Sequence, residues 1–391
     1  MHDSSDLHTT GRTYHDADNV SSNRNAQLRI GVIGGGMVAQ AMHLPYLSEL
    51  ADRFRIEGLA EPSLKVREAL AARYGIPRPV ADWRSLVDGG DLDAVLIASP
   101  AGTHIEIILA ALDAGLHVFC EKPLCIGLGD IDRIIAARDR AGKVVQVGYM
   151  KRHDPAFQKL LSEVPATSEG IRYINMVNND PEWVPYFQPG DILRGDDVPA
   201  EVIEASRRAE SEQVEAAVGR GDPVTCVTFS DGYLGSLIHQ VNVVHGLLER
   251  MGEALPARVV DATWWHDGKG LAGYQVLANG ARWDSAWLQL FDTREYREWI
   301  ALYFTDGVRS LEFPSPWLKN SPTVYRHQSA DGYALGETTF KAYEEAFRRE
   351  LVHFSQCCTE GVTCLTPPEQ ARLDTELLTE MFLVGLRNST A

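Results

Sequence analysis

The feature that most constrains the fold is a short apolar segment that leads into three consecutive glycines. Residues 30–33 have the character of a buried strand, residues 34–36 are all glycine, and a helical pattern begins directly after them. Gly34, Gly36 and Ala39 form the G-x-G-x-x-A variant of the dinucleotide fingerprint. In it, small residues permit a tight turn, close approach of a pyrophosphate and close helix–strand packing. The alternative is a glycine-rich turn in another kind of α/β protein.

The sequence around this fingerprint favours a dinucleotide site. The helix that follows would present free N–H groups near Met37 and Val38, with its positive dipole end, to phosphates. Glu61 stands 22 positions beyond Ala39, at the end of the next apolar segment. A carboxylate there suits the ribose 2′-hydroxyl of NAD and repels the 2′-phosphate of NADP. The sequence therefore predicts NAD as the cofactor, with NADP less favoured.

Strand-like and helix-like segments alternate from residue 28 to about residue 147. Repeated β-α units of this kind predict a doubly wound parallel sheet, here a Rossmann domain over residues 28–150. Ligands of such sheets bind beyond the carboxyl ends of the strands. Besides the glycine turn, this rule places the following residues on one rim: Glu61, Ser99, Pro100, Glu121, Lys122, Pro123, Gly148 and Tyr149.

The pattern changes in the remainder of the chain, residues 151–391. Four or five strand-like segments follow one another between residues 258 and 313 without helices between them, after a predicted strand at 171–177. This succession predicts an α+β domain with a large, mostly antiparallel open sheet. The predicted helices of this domain cover residues 234–251, 340–360 and 368–387.

Residues 178–222 are interpreted as an insert in the second domain. The segment contains a Pro- and Trp-containing loop followed by a charged helix near residues 200–218. Long loops in compact proteins are often functional lids. Trp183 and Tyr186 are therefore candidates for substrate contacts.

Composition excludes several classes of function. The 391-residue chain has a net charge of −17, which disfavours nucleic-acid binding because such binding depends on neutralising phosphates. No segment approaches 18 consecutive apolar residues, so no membrane span is expected. The six cysteines lack metal-binding spacing and are predicted to be reduced, which together with a polar tail at residues 1–27 suggests a cytoplasmic protein. No metal site is predicted.

Several motifs, in this order, resemble the glucose–fructose oxidoreductase / inositol dehydrogenase / rhizopine catabolism (Gfo/Idh/MocA) family. The resemblance covers about residues 28–177 and 230–388. It implies a Rossmann domain, a C-terminal domain with a large open sheet, a C-terminal helix that packs back on the first domain, and homodimers or homotetramers. The motifs are the fingerprint with His43-Leu44-Pro45, Ser99-Pro100 with His104, Glu121-Lys122-Pro123, Tyr149 to Pro155, and Ala346 to Phe354.

The resemblance also implies hydride transfer between NAD(P) and a secondary alcohol or ketone of a sugar, cyclitol or sugar derivative. Oxidation of an alcohol requires a base for the hydroxyl proton and a hydride acceptor held close to the carbon. Lys122 is the candidate for stabilising the developing alkoxide, and His239 is the candidate acid/base. By resemblance, His104 lines the nicotinamide side and Lys151 contacts a substrate hydroxyl.

The predicted catalytic helix departs from the family pattern at two positions. Gly235 and Asn242 stand where the family typically has aspartates on either side of the histidine, and Asn242 is a candidate substrate contact. Asp231, the insert, or no residue at all could replace the missing carboxylate. Two alternatives remain. One is a sugar enzyme that recycles tightly bound NAD during elimination or glycoside cleavage, and the other is a non-catalytic NAD-binding regulatory protein, which the departures at Gly235 and Asn242 favour.

Overall fold

The computed structural model describes residues 27–181, 186–187, 190–290 and 295–389. Its first sheet has six parallel strands in the order β3-β2-β1-β4-β5-β6. This arrangement confirms the predicted doubly wound parallel sheet. The strands are β1 (Leu28–Ile33), β2 (Phe54–Ala60), β3 (Arg78–Val80), β4 (Ala94–Ile97), β5 (His117–Glu121) and β6 (Val145–Gly148).

Helices connect these strands and cover the sheet. Capping explains the bounds of the second one, because the Ser63 hydroxyl accepts the Val66 N–H at 3.0 Å and Gly75 ends the helix in the left-handed conformation. The helices are a π-helical segment at Ala39–His43, α1 (Leu44–Glu49), α2 (Leu64–Tyr74), α3 (Trp83–Val87), α4 (His104–Asp113) and α5 (Leu128–Ala141).

A second sheet of eight strands occupies the C-terminal half. Its order is β14-β13-β12-β11-β7-β10-β9-β8, and every neighbouring pair is antiparallel except β7 with β10. The predicted large, mostly antiparallel sheet is confirmed. The strands are β7 (Ile171–Pro181), β8 (Arg258–Trp265), β9 (Gly270–Val276), β10 (Arg282–Leu290), β11 (Arg297–Phe304), β12 (Gly307–Phe313), β13 (Val324–Asp331) and β14 (Ala334–Lys341).

The last helix joins the two halves. Arg138 of α5 forms an ion pair with Glu369 at 2.7 Å, and the other face of the helix packs on β8. Among the described residues, no helix is long and apolar enough to cross a membrane. The helices after the first sheet are α6 (Pro155–Glu163), α7 (Ala200–Val218), α8 (Pro223–Cys226), a π-helical segment at Val227–Leu237, α9 (Ile238–Arg250), α10 (Ala346–Glu360) and α11 (Pro368–Ser389).

Some predicted elements of the second half are wrong in extent. β13 and β14 were not predicted, and the helix expected from residue 340 begins only at Ala346. The residues of β14 are nearly all exposed on both faces, so this edge strand has no apolar alternation to reveal it. β7 runs through Pro181, because it is paired with β10 and β11 along its length. The first four residues of the predicted insert therefore belong to a central strand.

Candidate active site

The glycine turn at the end of β1 has the geometry that a dinucleotide requires. Gly34 has φ +98°, and a Cβ atom there would lie 2.5 Å from the Ala98 carbonyl oxygen, so only glycine fits. A Cβ atom at Gly36 would meet nothing within 4 Å, which leaves the backbone open to a ligand. Met37 and Val38 are partly exposed in the following turn. The turn therefore fits a pyrophosphate held by backbone N–H groups.

Glu61 lies where the sequence predicts, directly beyond β2. Its Oε2 accepts the Gly35 N–H at 2.8 Å, and its Oε1 accepts the Ser63 N–H at 2.9 Å. These two bonds hold the carboxylate between the glycine turn and the start of α2. Each oxygen keeps a lone pair, so the carboxylate can still accept hydrogen bonds from ribose hydroxyls.

The loops after β4 and β5 are tied together by His104. Its Nδ1 is 2.9 Å from the Pro123 carbonyl oxygen, and its Nε2 is 2.8 Å from the Ser99 carbonyl oxygen. The Ser99 hydroxyl bonds the Thr103 hydroxyl at 2.8 Å, and Pro100 is exposed at the rim. Because both ring nitrogens face protein oxygens, His104 positions two strand-end loops in this structure, and its cofactor contact stays a prediction.

Glu121, at the end of β5, fixes the backbone of the neighbouring lysine. Its Oε1 lies 2.7 Å from His43 Nε2, and its Oε2 accepts the Lys122 N–H at 3.1 Å. The residue is buried, and the Lys122–Pro123 peptide bond is cis. In this structure Glu121 makes contacts with protein groups, and its predicted contact with the cofactor remains a prediction.

Lys122 extends from this rim toward the second half of the chain. Its Nζ donates a hydrogen bond to the Gly235 carbonyl oxygen, which lies in the π-helical segment before α9. Burial lowers the pKa of Lys122 from its ordinary value, and the positive charge of Lys151 adds to this effect. The carboxylates that oppose it are Glu121, Asp180 and Asp231. The ammonium group is therefore a partly desolvated donor at the junction of the two sheets.

His239 approaches the same junction from the first turn of α9. Burial holds the pKa of its imidazole well below the ordinary value, and the charges of Lys122 and Lys151 lower it further. Its Nδ1 is buried and has no hydrogen-bond partner among the described residues. The imidazole is therefore unprotonated at neutral pH, as a general base must be, although burial and the two ammonium groups make it a weaker proton acceptor than an ordinary histidine.

Lys151 follows β6 and is 6% exposed. Its ammonium group pairs with the carboxylate of Glu298 on β11, and Tyr296 donates its hydroxyl to the other oxygen of that carboxylate. Lys151 Nζ also lies 5.1 Å from the centre of the Phe313 ring. A strand of the second sheet thus supplies the counter-charge for a lysine that lies just beyond the last strand of the first sheet.

Asp180, at the end of β7, is a further candidate site residue, which the sequence analysis covered only as part of the insert at residues 178–222. Its Oδ2 accepts the Ser236 hydroxyl at 3.0 Å, and the Trp287 indole N–H donates to the same hydroxyl at 2.8 Å. Burial raises the pKa of Asp180, the charge of Glu298 raises it further, and Lys151 and Lys122 oppose the shift. The available signal was a carboxylate near the end of a predicted strand, but the segment was assigned to the insert instead. The family typically has aspartates where this chain has Gly235 and Asn242, and Asp180 supplies a carboxylate near Lys122 that could replace one of them.

Of the two substrate contacts predicted in the insert, Tyr186 is described by the structure and Trp183 is not. Tyr186 lies close enough to Asp180 for their charges to interact, and burial raises the pKa of its hydroxyl. Trp183 lies outside the described residues. Neither contact with substrate is tested by these placements.

Tyr149 and Asn242 lie in a separate, fully buried polar network. The Asn242 amide donates to Asp374 Oδ2 at 2.8 Å, and His245 Nδ1 lies 2.7 Å from Asp374 Oδ1. Burial raises the pKa of Tyr149 well above its ordinary value, and Asp374 adds to the shift. In this structure the Asn242 amide faces α11, so its contact with substrate stays a prediction.

In the part of the chain that the structure describes, two groups of side chains could each bring three metal ligands together, within 4.8 Å of one another. In one group His43 and Glu121 already bond each other, and in the other His353 Nε2 accepts the Leu365 N–H at 3.0 Å. Neither group includes Lys122 or His239. The groups are His43, Glu121 and Glu350, and His353, Cys357 and Cys364.

Comparison with known proteins adds a family profile, two relatives in sequence and one solved structure. Residues 28–149 match the profile of the GFO_IDH_MocA family, described as an oxidoreductase family with an NAD-binding Rossmann fold. The chain is 27% identical over 244 residues to myo-inositol 2-dehydrogenase of Thermotoga maritima, and this alignment covers 57% of this chain and 72% of that protein. It is 35% identical over 144 residues to inositol 2-dehydrogenase 3 of Saccharopolyspora erythraea, covering 37% of this chain and 42% of that protein.

A solved structure of scyllo-inositol dehydrogenase from Lactobacillus casei, with bound NAD(H) and scyllo-inositol, has the same fold. The TM-score is 0.67, the sequences are 17% identical, and the match covers 93% of this chain and 98% of the other. At this identity the likeness extends to the fold alone. It covers both sheets, whereas the family profile covers only the first.

Proposed function

We propose that the chain is an NAD-dependent dehydrogenase or reductase, because its residues 28–149 match the profile of the GFO_IDH_MocA oxidoreductase family that its sequence motifs resemble. Its substrate class is a cyclic polyol, sugar or sugar derivative with a secondary alcohol or ketone. The inositol dehydrogenases among its relatives support this class. The observation that carries the proposal is the convergence of Lys122, Lys151 and His239 beside the rim that holds the glycine turn.

Lys122 and His239 act on the same substrate oxygen in different roles. Bound nicotinamide supplies the hydride acceptor or donor. The Lys122 ammonium group exchanges its bond to the Gly235 carbonyl for one to the substrate oxygen, where it stabilises the developing negative charge. The neutral imidazole of His239 takes the hydroxyl proton during oxidation and returns it during reduction.

The neighbouring polar groups suit the remaining hydroxyls of a polyol. Asp180 and the Lys151–Glu298 pair offer both acceptors and donors next to the reacting centre. Hydroxyl groups can bond the lone pairs and N–H groups that these side chains do not already use, whereas an apolar substrate would leave those lone pairs and N–H groups without a partner, at a cost of about 1–3 kcal/mol each. The lining therefore favours a densely hydroxylated substrate.

NAD is proposed over NADP because Glu61 stands at the ribose end of the site. Its carboxylate is held in place by the Gly35 and Ser63 N–H groups. A fixed negative charge there repels a 2′-phosphate and accepts hydrogen bonds from ribose hydroxyls. Assembly into homo-oligomers and a cytoplasmic location remain predictions from the sequence.

The test is NADH formation by the full-length chain across a panel of cyclitols, free sugars, glycosides and nucleotide sugars. We expect turnover on one class, and a loss of kcat of about 100-fold or more in Lys122→Ala and in His239→Ala. Lys159→Ala is the matched control, because Lys159 is an exposed lysine that pairs with Glu163 on α6, outside the charged cluster.

Two outcomes would refute the proposal. One is the absence of turnover throughout the panel although NADH binds, which would favour internal redox recycling or a non-catalytic role. The other is undiminished turnover in both variants, which would place the proton transfer on other residues.

A further inference from the structure

A segment of the second half of the chain lies against the dinucleotide-binding rim. Residues 193–197, called the strap here, are fixed at one end by Gln40, which is 5% exposed. Gln40 Oε1 accepts the Leu193 N–H at 2.8 Å, and Gln40 Nε2 donates to the Leu193 carbonyl oxygen at 3.0 Å. The same Nε2 donates to the Gly35 carbonyl oxygen at 2.7 Å. One side chain thus joins the strap to the glycine turn.

The other end of the strap is fixed to the start of α2. Ser63 donates its hydroxyl to Asp197 Oδ1, and Asp197 Oδ2 accepts the Lys65 N–H at 3.0 Å. A Cβ atom at Gly195 would lie 2.9 Å from the Ser63 Cβ atom, so the close approach depends on glycine. These bonds lower the pKa of Asp197, first through Ser63 and then through the Lys65 amide, so the carboxylate is ionised at neutral pH.

The strap occupies the groups that could otherwise bind a phosphate at this position. The first turn of a helix after the second Rossmann strand offers N–H groups, and nearby cations would complete an anion site. Here the Lys65 N–H bonds Asp197, and Lys65 Nζ pairs with Asp196 at 3.0 Å. The Arg67 guanidinium donates to the Glu61 carbonyl oxygen at 2.6 Å. Asp197 therefore bonds the hydroxyl of Ser63, the residue whose N–H holds the Glu61 carboxylate, and Asp196 lies on the neighbouring Lys65 ammonium group.

We propose that the strap is the outer wall of the adenosine end of the dinucleotide site, and that Asp197, assisted by Asp196, excludes the 2′-phosphate of NADP. This inference rests on the proposed dinucleotide-binding function. Glu61 and the strap act on the same ligand group from two parts of the chain. The discrimination against NADP is then divided between the Rossmann strand and a segment that enters from the second half of the chain.

The test measures binding of adenosine fragments, so that it does not depend on turnover. ADP and 2′,5′-ADP are titrated against the full-length wild type and the Asp197→Asn variant by isothermal titration calorimetry. The asparagine oxygen can still accept the Lys65 N–H, so α2 keeps its cap while one charge is removed. We expect the affinity for 2′,5′-ADP to rise about tenfold and the affinity for ADP to change less than about twofold.

Two further variants make the result specific. Among the described residues, the Asp196 carboxylate bonds the exposed Lys65 ammonium group and no other side chain. Asp196→Asn therefore tests the same effect without changing the helix cap, and we expect the affinity for 2′,5′-ADP to rise about threefold. Glu204→Gln is the matched control, because Glu204 is an exposed carboxylate on α7 outside the strap. Its ratio of the two affinities should equal that of the wild type.

The inference is overturned if Asp197→Asn and Asp196→Asn have the same ratio of 2′,5′-ADP affinity to ADP affinity as Glu204→Gln. It is also overturned if the wild type binds 2′,5′-ADP as tightly as ADP. The two proposals can also fail separately. If the wild type binds ADP and the Asp197→Asn and Asp196→Asn variants show the expected rise in affinity for 2′,5′-ADP, but the wild type oxidises no alcohol, the proposed function is refuted and this inference stands.

Discussion

At the scale of single residues, the charge next to a side chain decides what chemistry it can perform. His239 lies beside Lys122 and Lys151, and both charges oppose the protonation of its imidazole. Burial acts in the same direction. The candidate base is therefore held in its neutral form in a solution where an ordinary histidine would be partly charged.

This predicts the pH dependence of alcohol oxidation. Because the pKa of His239 is lowered, the imidazole stays unprotonated as the pH falls through about 6.5, the ordinary value. We expect kcat/KM for oxidation to show no acid limb at or above that pH, measured by initial rates from about pH 5.5 to 9. An acid limb near pH 7 that disappears in His239→Gln would show that this imidazole titrates normally.

Substitutions at two glycines of the same turn should affect different properties, one the stability of the fold and the other the binding of the dinucleotide. In Gly34→Ala the new methyl group would clash with the Ala98 carbonyl at a backbone angle that alanine rarely adopts, so we expect a loss of about 3 kcal/mol in stability. In Gly36→Ala the methyl group meets no protein atom, so stability should stay within about 0.5 kcal/mol of the wild type.

The two variants are compared by urea unfolding and by NADH titration. Although its stability is unchanged, Gly36→Ala should bind NADH at least about tenfold more weakly than the wild type, because the methyl group fills the space through which the pyrophosphate approaches the backbone. Unchanged NADH affinity in Gly36→Ala would mean that the dinucleotide lies elsewhere.

At the scale of elements, α9 and α11 are joined to each other through buried polar bonds. Asp374 of α11 is 0% exposed and accepts from the Asn242 amide on α9 while bonding His245 of the same helix. An unpaired polar group in such a place is costly, because no water replaces the lost partner. The register of the two helices is thus set by a few specific hydrogen bonds in addition to apolar packing.

We therefore expect Asp374→Ala to lower the free energy of unfolding by about 3 kcal/mol, since it leaves Asn242 and His245 buried without their partner. Arg372→Ala is the control on the same helix. Arg372 pairs with Asp132 in a partly exposed bridge, so its loss should cost less than about 1 kcal/mol. Equal effects of the two substitutions in urea unfolding would contradict this account of the α9–α11 contact.

At the scale of the whole molecule, a buried carboxyl group on α10 links the stability of the fold to pH. Glu350 is 0% exposed, and neither of its carboxyl oxygens has a hydrogen-bond partner among the described residues. Burial raises its pKa well above the ordinary value, and the nearby Glu121 raises it further. The folded protein therefore holds this proton more tightly than the unfolded chain does.

The sign of the effect follows from this difference. A raised pKa contributes stability that is fully present below the unfolded value, about 4.3, and is lost as the pH rises through the folded value. Glu350→Gln keeps the shape without the titrating proton. We expect it to raise the melting temperature relative to the wild type at pH 8 and to have a smaller effect at pH 5. Equal shifts in thermal unfolding at the two pH values would show that Glu350 does not titrate in this range.

Much of the first half of the molecule was predictable because its signals are local. The glycine turn, the apolar strands and Glu61 lie within short stretches of sequence, and their spacing alone implies the order of the elements. The second half was less predictable. β14 has no buried face, and the end of β7 lies in a segment whose apolar pattern is interrupted by polar residues, so neither has the periodicity that sequence analysis detects.

The sequence by itself determined the fold class, the parallel sheet with its glycine turn and the identity of Lys122 as a rim residue. Only the tertiary structure brought Asp180, Glu298 and Asp197 to their places, because each lies far along the chain from the lysine or helix that it contacts. Periodicity and spacing report which residues share an element. Which elements meet, and so which charges are neighbours, depends on how the two sheets pack.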